Sequence, residues 1–204
     1  QAAAADWDAF AVNGIRKIES AASPAELATG LNALFAPVAP SVRVFVTGQA
    51  ITPVPDGNPN LDGAGVSVVQ WRHEGVGLQG DAENVYSSTR ETKPVIGGRI
   101  PEGFRDPRIP FVRNLAGGVT CSVPLSLFAD ANGSLPRPAA SASRPPELVR
   151  YTGNDRATRL AAVALAWNVF HHFYPYFDVV KTDWPSLLGP TLRAAAECPD
   201  DVAF

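Results

Sequence analysis

The stretch Arg159–Trp184, RLAAVALAWNVFHHFYPYFDVVKTDW, combines a long apolar repeat with a proline that interrupts it. Apolar residues recur at spacings of three and four, as in an amphipathic helix. The repeat consists of Leu160, Val163, Trp167, Phe170 and Tyr174, and it is widened by Leu165, Val169 and Phe173. Pro175 cannot continue a helix, because it has no amide hydrogen and its ring clashes with the preceding turn. The pattern therefore predicts a helix over residues 155–174.

A second helix is predicted directly after this stretch. Thr182 or Asp183 can accept hydrogen bonds from the free amide groups at a helix start, and Pro185 suits the first turn. We expect this helix to cover residues 184–197. The end of the chain thus reads as two helices joined by an aromatic turn.

A linker is predicted upstream of these helices. Residues 136–147, PRPAASASRPPE, contain mostly proline, alanine and serine and show no apolar period. We therefore expect three parts: a mixed helix and strand accessory domain at 1–134, a linker at 135–150, and a helical cap segment at 151–204.

The sequence pattern in the middle of the chain is typical of β-structure. Of the 17 glycines, 12 lie between Gly48 and Gly118. Alternation of apolar and polar residues predicts a strand in SVRVFVTG, residues 41–48. Less regular strand patterns occur in VSVVQWRHEGVGL and NVYSSTRE, residues 66–78 and 84–91.

The clearest strand pattern is VTCSVPLSLFADANGSL, residues 119–135. One face contains Val119, Cys121, Val123, Leu125 and Leu127, and the other contains Thr120, Ser122, Ser126 and Phe128. Pro124 cannot donate to a neighbouring strand, so we expect this strand at a sheet edge. Asn132 and Gly133 form a pair typical of a tight turn.

Two helices are predicted at the beginning of the chain. Residues 6–20 have one apolar face, and residues 24–35 follow a helix-start signal in which Ser23 can cap and Glu26 completes a capping box. Together these patterns predict an α+β fold. Its strand-rich domain, a sheet or a sandwich, carries amino-terminal helices and is followed by a helical segment.

Composition excludes several classes of protein. The chain is 46% hydrophobic and 18% charged, with a net charge of −3, and it contains no basic cluster, so nucleic acid is not an expected partner. No apolar run is long enough to cross a membrane. Two cysteines do not make a disulfide framework. Because the sequence contains no methionine and its last residues read as the start of a helix, we expect it to be a piece of a longer protein.

The two ends of the chain echo each other. DWDAFAVNGIRKIES begins at Asp6, and DWPSLLGPTLRAAAE begins at Asp183. Each pairs Asp-Trp with an amphipathic helix that has an arginine near its middle, and each leads to a second capped segment. This echo predicts a repeated helical unit.

Arg159–Trp184 resembles the helical segment that precedes the catalytic domain in bacterial C-terminal-processing (tail-specific, tricorn-core-like) serine peptidases. A Trp-Asn pair, an aromatic-Tyr-Pro-Tyr turn and an Asp-Trp pair recur there. LAGGVTCSVPLSLFADANGSLP, residues 115–136, resembles the region upstream of that segment in larger members.

The resemblance implies a serine nucleophile and a lysine base in a domain that follows this segment. Lys181 matches no catalytic position, so no catalytic residue is assigned within these 204 residues. The chain would then be the non-catalytic amino-terminal part of a serine peptidase, without a cofactor. Its partners would be its own downstream peptidase domain and a protein or peptide substrate. The same resemblance implies an extracytoplasmic location, periplasmic or secreted.

Four residues are candidates for ligand binding. Tyr174 and Tyr176 could bind a ligand, but we favour packing, with the rings filling the joint between the helices. Trp71 and His73 in WRHEG could line a surface groove, or they could belong to an edge strand entering a turn. The groove would make the chain a carbohydrate- or peptide-binding accessory module, which is the alternative function.

Metal and cysteine chemistry are not favoured by the residue pattern. His171 and His172 are neighbours about 100° apart on a helix, so they cannot chelate one ion together, and no carboxylate lies four residues from either. We expect one to pack at the helix joint and the other to reach solvent. Cys121 follows two glycines that could suggest an oxyanion hole, but its alternation places it on the inner strand face, where a thiol is inert.

Overall fold

The computed structural model describes residues 6–51, 57–61, 65–74, 87–138 and 151–204. These residues form an α+β fold, which confirms the predicted class. The helices are α1 (Trp7–Ile18), α2 (Pro24–Phe35), α3 (Arg156–Phe173), α4 (Phe177–Val180) and α5 (Trp184–Glu197). The strands are β1 (Arg43–Val46), β2 (Ser67–Glu74), β3 (Ser87–Pro94), β4 (Phe111–Leu115), β5 (Val119–Val123), β6 (Ser126–Asp130) and β7 (Gly133–Ser134). Within the described ranges, every helix is too short or too polar to cross a membrane.

The chain divides into two compact units. A helical unit combines Gln1–Ala22 with Ser143–Phe204, and a strand-rich unit covers Ser23–Ala142. This division differs from the one expected at 1–134 and 151–204, because α1 packs against α3. Leu135, expected to begin the linker, is buried in the strand-rich unit. The rest of the expected linker, from 139 to 150, lies outside the described residues.

In the helical unit, α1 and α5 both pack against α3. Val12 of α1 meets Ala157 and Ala161 of α3 in a small buried cluster. Because alanine side chains are small, the two helix backbones can approach closely there. The two segments that echo each other in sequence, α1 and α5, therefore share one partner helix.

The first sheet of the strand-rich unit has the order β1–β5–β4, with all pairs antiparallel. Helix α2 covers one of its faces and buries Ala28 against Val44 and Val119. The Asn32 side chain accepts a hydrogen bond from Val44 N–H at 2.9 Å and donates one to Val44 C=O at 2.7 Å. These two bonds tie α2 to β1 and satisfy backbone groups at the sheet edge.

The second sheet has the order β3–β2–β6–β7. Its core consists of Val66, Val68, Phe128 and Leu135. Residues 119–135, predicted as one strand pattern, thus form three strands, β5 in the first sheet and β6 and β7 in the second. The expectation of an edge position is wrong for β5. The chain leaves the first sheet at Pro124, where no amide hydrogen is available to continue the ladder, and β5 is the central strand of its sheet.

The helix-start signals agree with the structure. Ser23 caps α2 by accepting a hydrogen bond from Glu26 N–H at 3.2 Å. Helix α3 ends before Tyr174, which has an extended backbone conformation, as expected for the residue that precedes Pro175. Asp183 occupies the cap position of α5, but its side chain makes no capping hydrogen bond there. The short helix α4 was not predicted.

Candidate functional site

Signals at the helix ends position the aromatic turn between α3 and α5. Helix α3 begins after Asp155, whose carboxylate accepts a hydrogen bond from Thr158 N–H at 2.9 Å. It ends at Phe173, because Pro175 cannot extend it. Helix α4 follows, and Lys181 then adopts a left-handed backbone conformation with φ of 51°. These turns place the end of α3 beside the start of α5.

Eight rings of the described residues form a connected group at this turn, which we name the aromatic cluster. Its members are Trp167, Phe170, His171, His172, Tyr174, Tyr176, Phe177 and Trp184. The Trp184 ring is central: its centroid lies 5.3 Å from that of Phe177 and 5.6 Å from that of Phe170. Such edge and tilted contacts are the usual packing geometry of aromatic rings.

Two tryptophans join α3 to α5 by reciprocal hydrogen bonds. The Trp167 indole N–H donates to the Trp184 carbonyl at 3.1 Å, and the Trp184 indole N–H donates to the Trp167 carbonyl at 3.2 Å. The two rings stack at 6.3 Å with planes 14° apart. Each residue therefore contributes both a donor and an acceptor, so this contact fixes how the two helices meet.

The two candidate tyrosines belong to this cluster. Tyr174 is half-buried, and its ring centroid lies 5.0 Å from that of Phe177 and 5.7 Å from that of Tyr176. Tyr176 is 57% exposed. The cluster thus brings both rings together in the helix joint, with one at its surface.

One histidine was expected to pack at the helix joint and the other to reach solvent. His171 contacts a ring of the joint, and both histidines are exposed. The His171 ring stacks on the Trp167 ring at 4.6 Å, and the two imidazole centroids lie 5.3 Å apart. Among the described residues, no three His, Cys, Asp or Glu side chains gather in a way that could hold a metal ion. The histidines therefore extend the aromatic surface of α3.

Beside the joint, large apolar side chains remain in contact with solvent. We give the name apolar face to seven exposed residues of this region, six of them within Val169–Val180: Val169, Phe170, Phe173, Tyr176, Val179, Val180 and Leu187, with exposures from 42% to 68%. Single exposed apolar residues are normal on a protein surface, but a concentration of them marks an interaction site. Such a surface is suited to binding another apolar surface.

A residue that the sequence analysis did not single out secures the other half of α3. Arg159 is only 4% exposed and makes two hydrogen bonds. Its Nε donates to the Ala195 carbonyl at 2.7 Å, and its Nη1 donates to the Gly153 carbonyl at 2.6 Å. An arginine inside a helical repeat gives no sign of this role, because its acceptors are backbone atoms of distant segments.

The other two candidates, Trp71 and His73, lie in the strand-rich unit. Both are on β2, which pairs with β6 only over Ser67–Gln70; from Trp71 onwards β2 pairs with β3 alone. Trp71 is 55% exposed, and His73 is exposed two residues further along the same strand face. The structure therefore places these two side chains together at the surface, in a different unit from Tyr174 and Tyr176.

Cys121 is half-buried beneath α2, and burial raises the pKa of its thiol. Gly117 and Gly118, which precede it, lie in close contact with side chains of α2. A Cβ atom on Gly117 would lie 2.8 Å from Leu27 Cδ2, and one on Gly118 would lie 3.1 Å from Pro24 Cγ. The glycine pair thus lets α2 approach the sheet, and the protonated thiol is a poor nucleophile.

The chain was compared with protein-family models, with curated proteins and with solved structures, and none of them matches it.

Proposed function

We propose that this chain is the non-catalytic amino-terminal part of a bacterial serine peptidase, and that its apolar face binds the peptidase domain that follows in the same polypeptide. Two features support the proposal. One is the resemblance of Arg159–Trp184 to the segment that precedes such domains. The other, which carries most weight, is that this segment contains all residues of the apolar face except Leu187.

The apolar face is suited to an intramolecular partner. Val169, Phe170 and Phe173 are each about half exposed, so completing their burial contributes roughly 1 kcal/mol per side chain. That energy is modest for two separate proteins, which must also offset the entropy of association. A domain tethered to α5 has a high effective concentration, so a modest surface suffices.

In this proposal the chain positions the peptidase domain or screens access to it, and the serine and lysine that cleave the substrate lie in that domain. The substrate is a protein or peptide. An extracytoplasmic location, periplasmic or secreted, belongs to the same proposal and depends on the resemblance alone.

A cleavage assay tests the first part. The gene would be read past Phe204, and an unfolded fluorescent protein would be incubated with the full-length protein and with this chain. We expect cleavage by the full-length protein only, with loss of activity when the downstream serine is changed to alanine. Cleavage by this chain alone, or a downstream sequence without a serine and lysine pair, would contradict the proposal.

A docking assay tests the second part. Val169 and Phe173 are four residues apart and share a helix face, so Val169→Ser with Phe173→Ser removes the centre of the apolar face. We expect slower amide exchange over residues 167–180 in the full-length protein than in this chain, and loss of that protection in the double variant. Ile96→Ser, which changes an isoleucine that is 74% exposed in the other unit, is the matched control and should leave protection unchanged. Equal exchange in the two proteins would rule out docking at this face.

The exposure of Trp71 favours a second candidate, a carbohydrate- or peptide-binding module. An exposed tryptophan provides a flat ring face on which a sugar or a peptide side chain can stack. Glycan and peptide arrays probed with the chain and with Trp71→Ala test this function. Phe111→Ala, at another half-exposed ring in the same unit, is the control. Binding that survives Trp71→Ala would exclude this surface.

A further inference from the structure

A cavity of about 300 Å³ lies in the strand-rich unit, at the lower end of the volume range of small-molecule sites. Its lining is mostly apolar and includes Ile51, Leu127, Phe128 and Leu135 together with four prolines. Arg43 and Ser122 also line it. These two residues are directly opposite each other in the β1–β5 pair, so their side chains project from the same face of the sheet.

One donor of the Arg43 guanidinium is unsatisfied in the described part of the chain. Arg43 is half-buried, and its Nε is buried without a hydrogen-bond partner there. Arg159 provides the contrast, since two backbone carbonyls satisfy its guanidinium. A buried donor without an acceptor is destabilising, and in native proteins such a group calls for an explanation.

The remaining charge at the cavity is already compensated. Arg108 lines the cavity, but its guanidinium forms an ion pair with Asp106 at 2.6 Å. None of the described residues that line the cavity is acidic. Among the described residues, the cavity therefore combines a guanidinium that has an unsatisfied donor with a mostly apolar lining.

From this arrangement we infer that the cavity binds a small monocarboxylate with an apolar body. The guanidinium fork matches the planar carboxylate, and the hydrocarbon part lies against the apolar lining. A phosphate would leave this apolar lining without a partner. A free amino acid is disfavoured because none of the described lining residues has an acidic side chain for its ammonium group. A simple carboxylic acid and the carboxyl-terminal residue of a peptide both have the required chemistry. This site is independent of the role proposed for the helical unit.

Calorimetric titration of the 204-residue chain with N-acetyl-L-leucine and with N-acetyl-L-leucinamide tests the inference without any substitution. The two probes differ only in the charged end group. We expect saturable binding of the acid and at least about tenfold weaker binding of the amide, from the strength of charge-assisted hydrogen bonds. Equal binding of the two probes, or no saturable binding of the acid, would overturn the inference.

A substitution then identifies the residue, and two further probes identify the source. Arg43→Gln should weaken binding of the acid at least about tenfold and leave binding of the amide unchanged. Arg99→Gln, an exposed arginine of the same unit outside the cavity, removes the same charge and should change the affinity less than about twofold. If Arg43→Gln binds the acid normally, the assignment is wrong. If 4-methylpentanoate binds and N-acetyl-Ala-Ala-Leu does not, the ligand is a free acid. If both bind, the site also accepts the carboxyl end of a peptide.

Discussion

The two halves of α3 differ in what covers their apolar residues. The inner half, Arg156–Ala164, is packed by α1 and by the end of α5, and it contains all the buried residues of the helix. The outer half, Leu165–Phe173, carries the larger side chains, and none of its residues is buried. Small alanines let helices of the same chain approach closely, whereas the large rings of the outer half contact one another and remain partly in contact with solvent. An apolar repeat therefore shows that a surface is to be covered but does not identify its partner.

Of the substitutions that test this difference between the two halves, Arg159→Ala in the inner half is expected to lower the stability most. The substitution empties a buried position and leaves the Ala195 and Gly153 carbonyls without a donor, so we expect a loss of about 3 kcal/mol or more in the free energy of unfolding. Urea denaturation followed by circular dichroism measures it. Arg159→Lys keeps the charge and one possible donor and should lose less. If both variants are as stable as the parent chain, the inner half is not held together by this residue.

A smaller effect is expected from enlarging an alanine in the inner half. Ala161 is 1% exposed in the cluster with Val12, so Ala161→Leu should force α1 away and destabilise the chain by about 1–3 kcal/mol. Ala162→Leu places the same side chain on the exposed face of the same helix and should change stability by less than about 0.5 kcal/mol. Thermal unfolding of the two variants compares them directly. Equal effects would show that the α1–α3 contact is loose.

The stability that the Asp155 cap contributes at the start of α3 should depend on pH. Burial raises the pKa of the Asp155 carboxyl, but hydrogen bonds from Thr158 and Arg16 outweigh burial and hold that pKa below its usual range. A lowered folded-state pKa stabilises the protein above the unfolded value of about 3.9, and this stabilisation is lost as the pH falls through the folded value. Asp155→Ala should therefore cost about 1 kcal/mol at pH 7, and the difference from the parent chain should narrow below about pH 4.

Asp183→Ala is the matched control for this prediction. Asp183 occupies the same position before α5, but its side chain makes no capping hydrogen bond there, so we expect only a few tenths of a kcal/mol at any pH. Urea denaturation at pH 7 and at pH 3 measures both variants. A difference between the parent chain and Asp155→Ala that is the same at both pH values would contradict the role given to the ionised carboxylate.

The smallest effect is expected in the outer half. Val169→Ser with Phe173→Ser should change the stability of this chain by less than about 1 kcal/mol in total, because both side chains are more than half exposed. The same pair should matter in the full-length protein if the apolar face docks there. Strong destabilisation of the isolated chain would show that the outer half is already covered from within.

The helices were predictable because their signals are local. Ser23 with Glu26 and Pro175 act on their own turns, and the structure follows them. The split of residues 119–135 into two sheets was not predictable from alternation, because strand pairing depends on partners as distant as Ser67 and Arg43. The alternation was correct for β5, where it placed Cys121 on the face that α2 covers. It was wrong beyond Pro124, where Leu125 is 49% exposed and Phe128 of the opposite face is buried.

The candidate site was predictable in part for the same reason. An aromatic turn at a proline indicated where the rings would gather, but not that so much of their surface would face solvent. Arg43 alternates with valines in the sequence and therefore resembled a residue on a solvent-facing side. The cavity that Arg43 lines is formed by several segments between Ser41 and Pro136. The sequence pattern of any one segment therefore gives no sign of it.

The paired indoles have a spectroscopic consequence. The chain contains four tryptophans; Trp7 and Trp71 are about half exposed, while Trp167 and Trp184 are stacked at the edge of the apolar face. A partner bound at this face would exclude water from the stacked indoles and shift their fluorescence emission to shorter wavelength. The protein thus carries its own optical reporter of occupancy, readable without a label and distinguishable from the other two emitters by replacing Trp7 and Trp71 with phenylalanine.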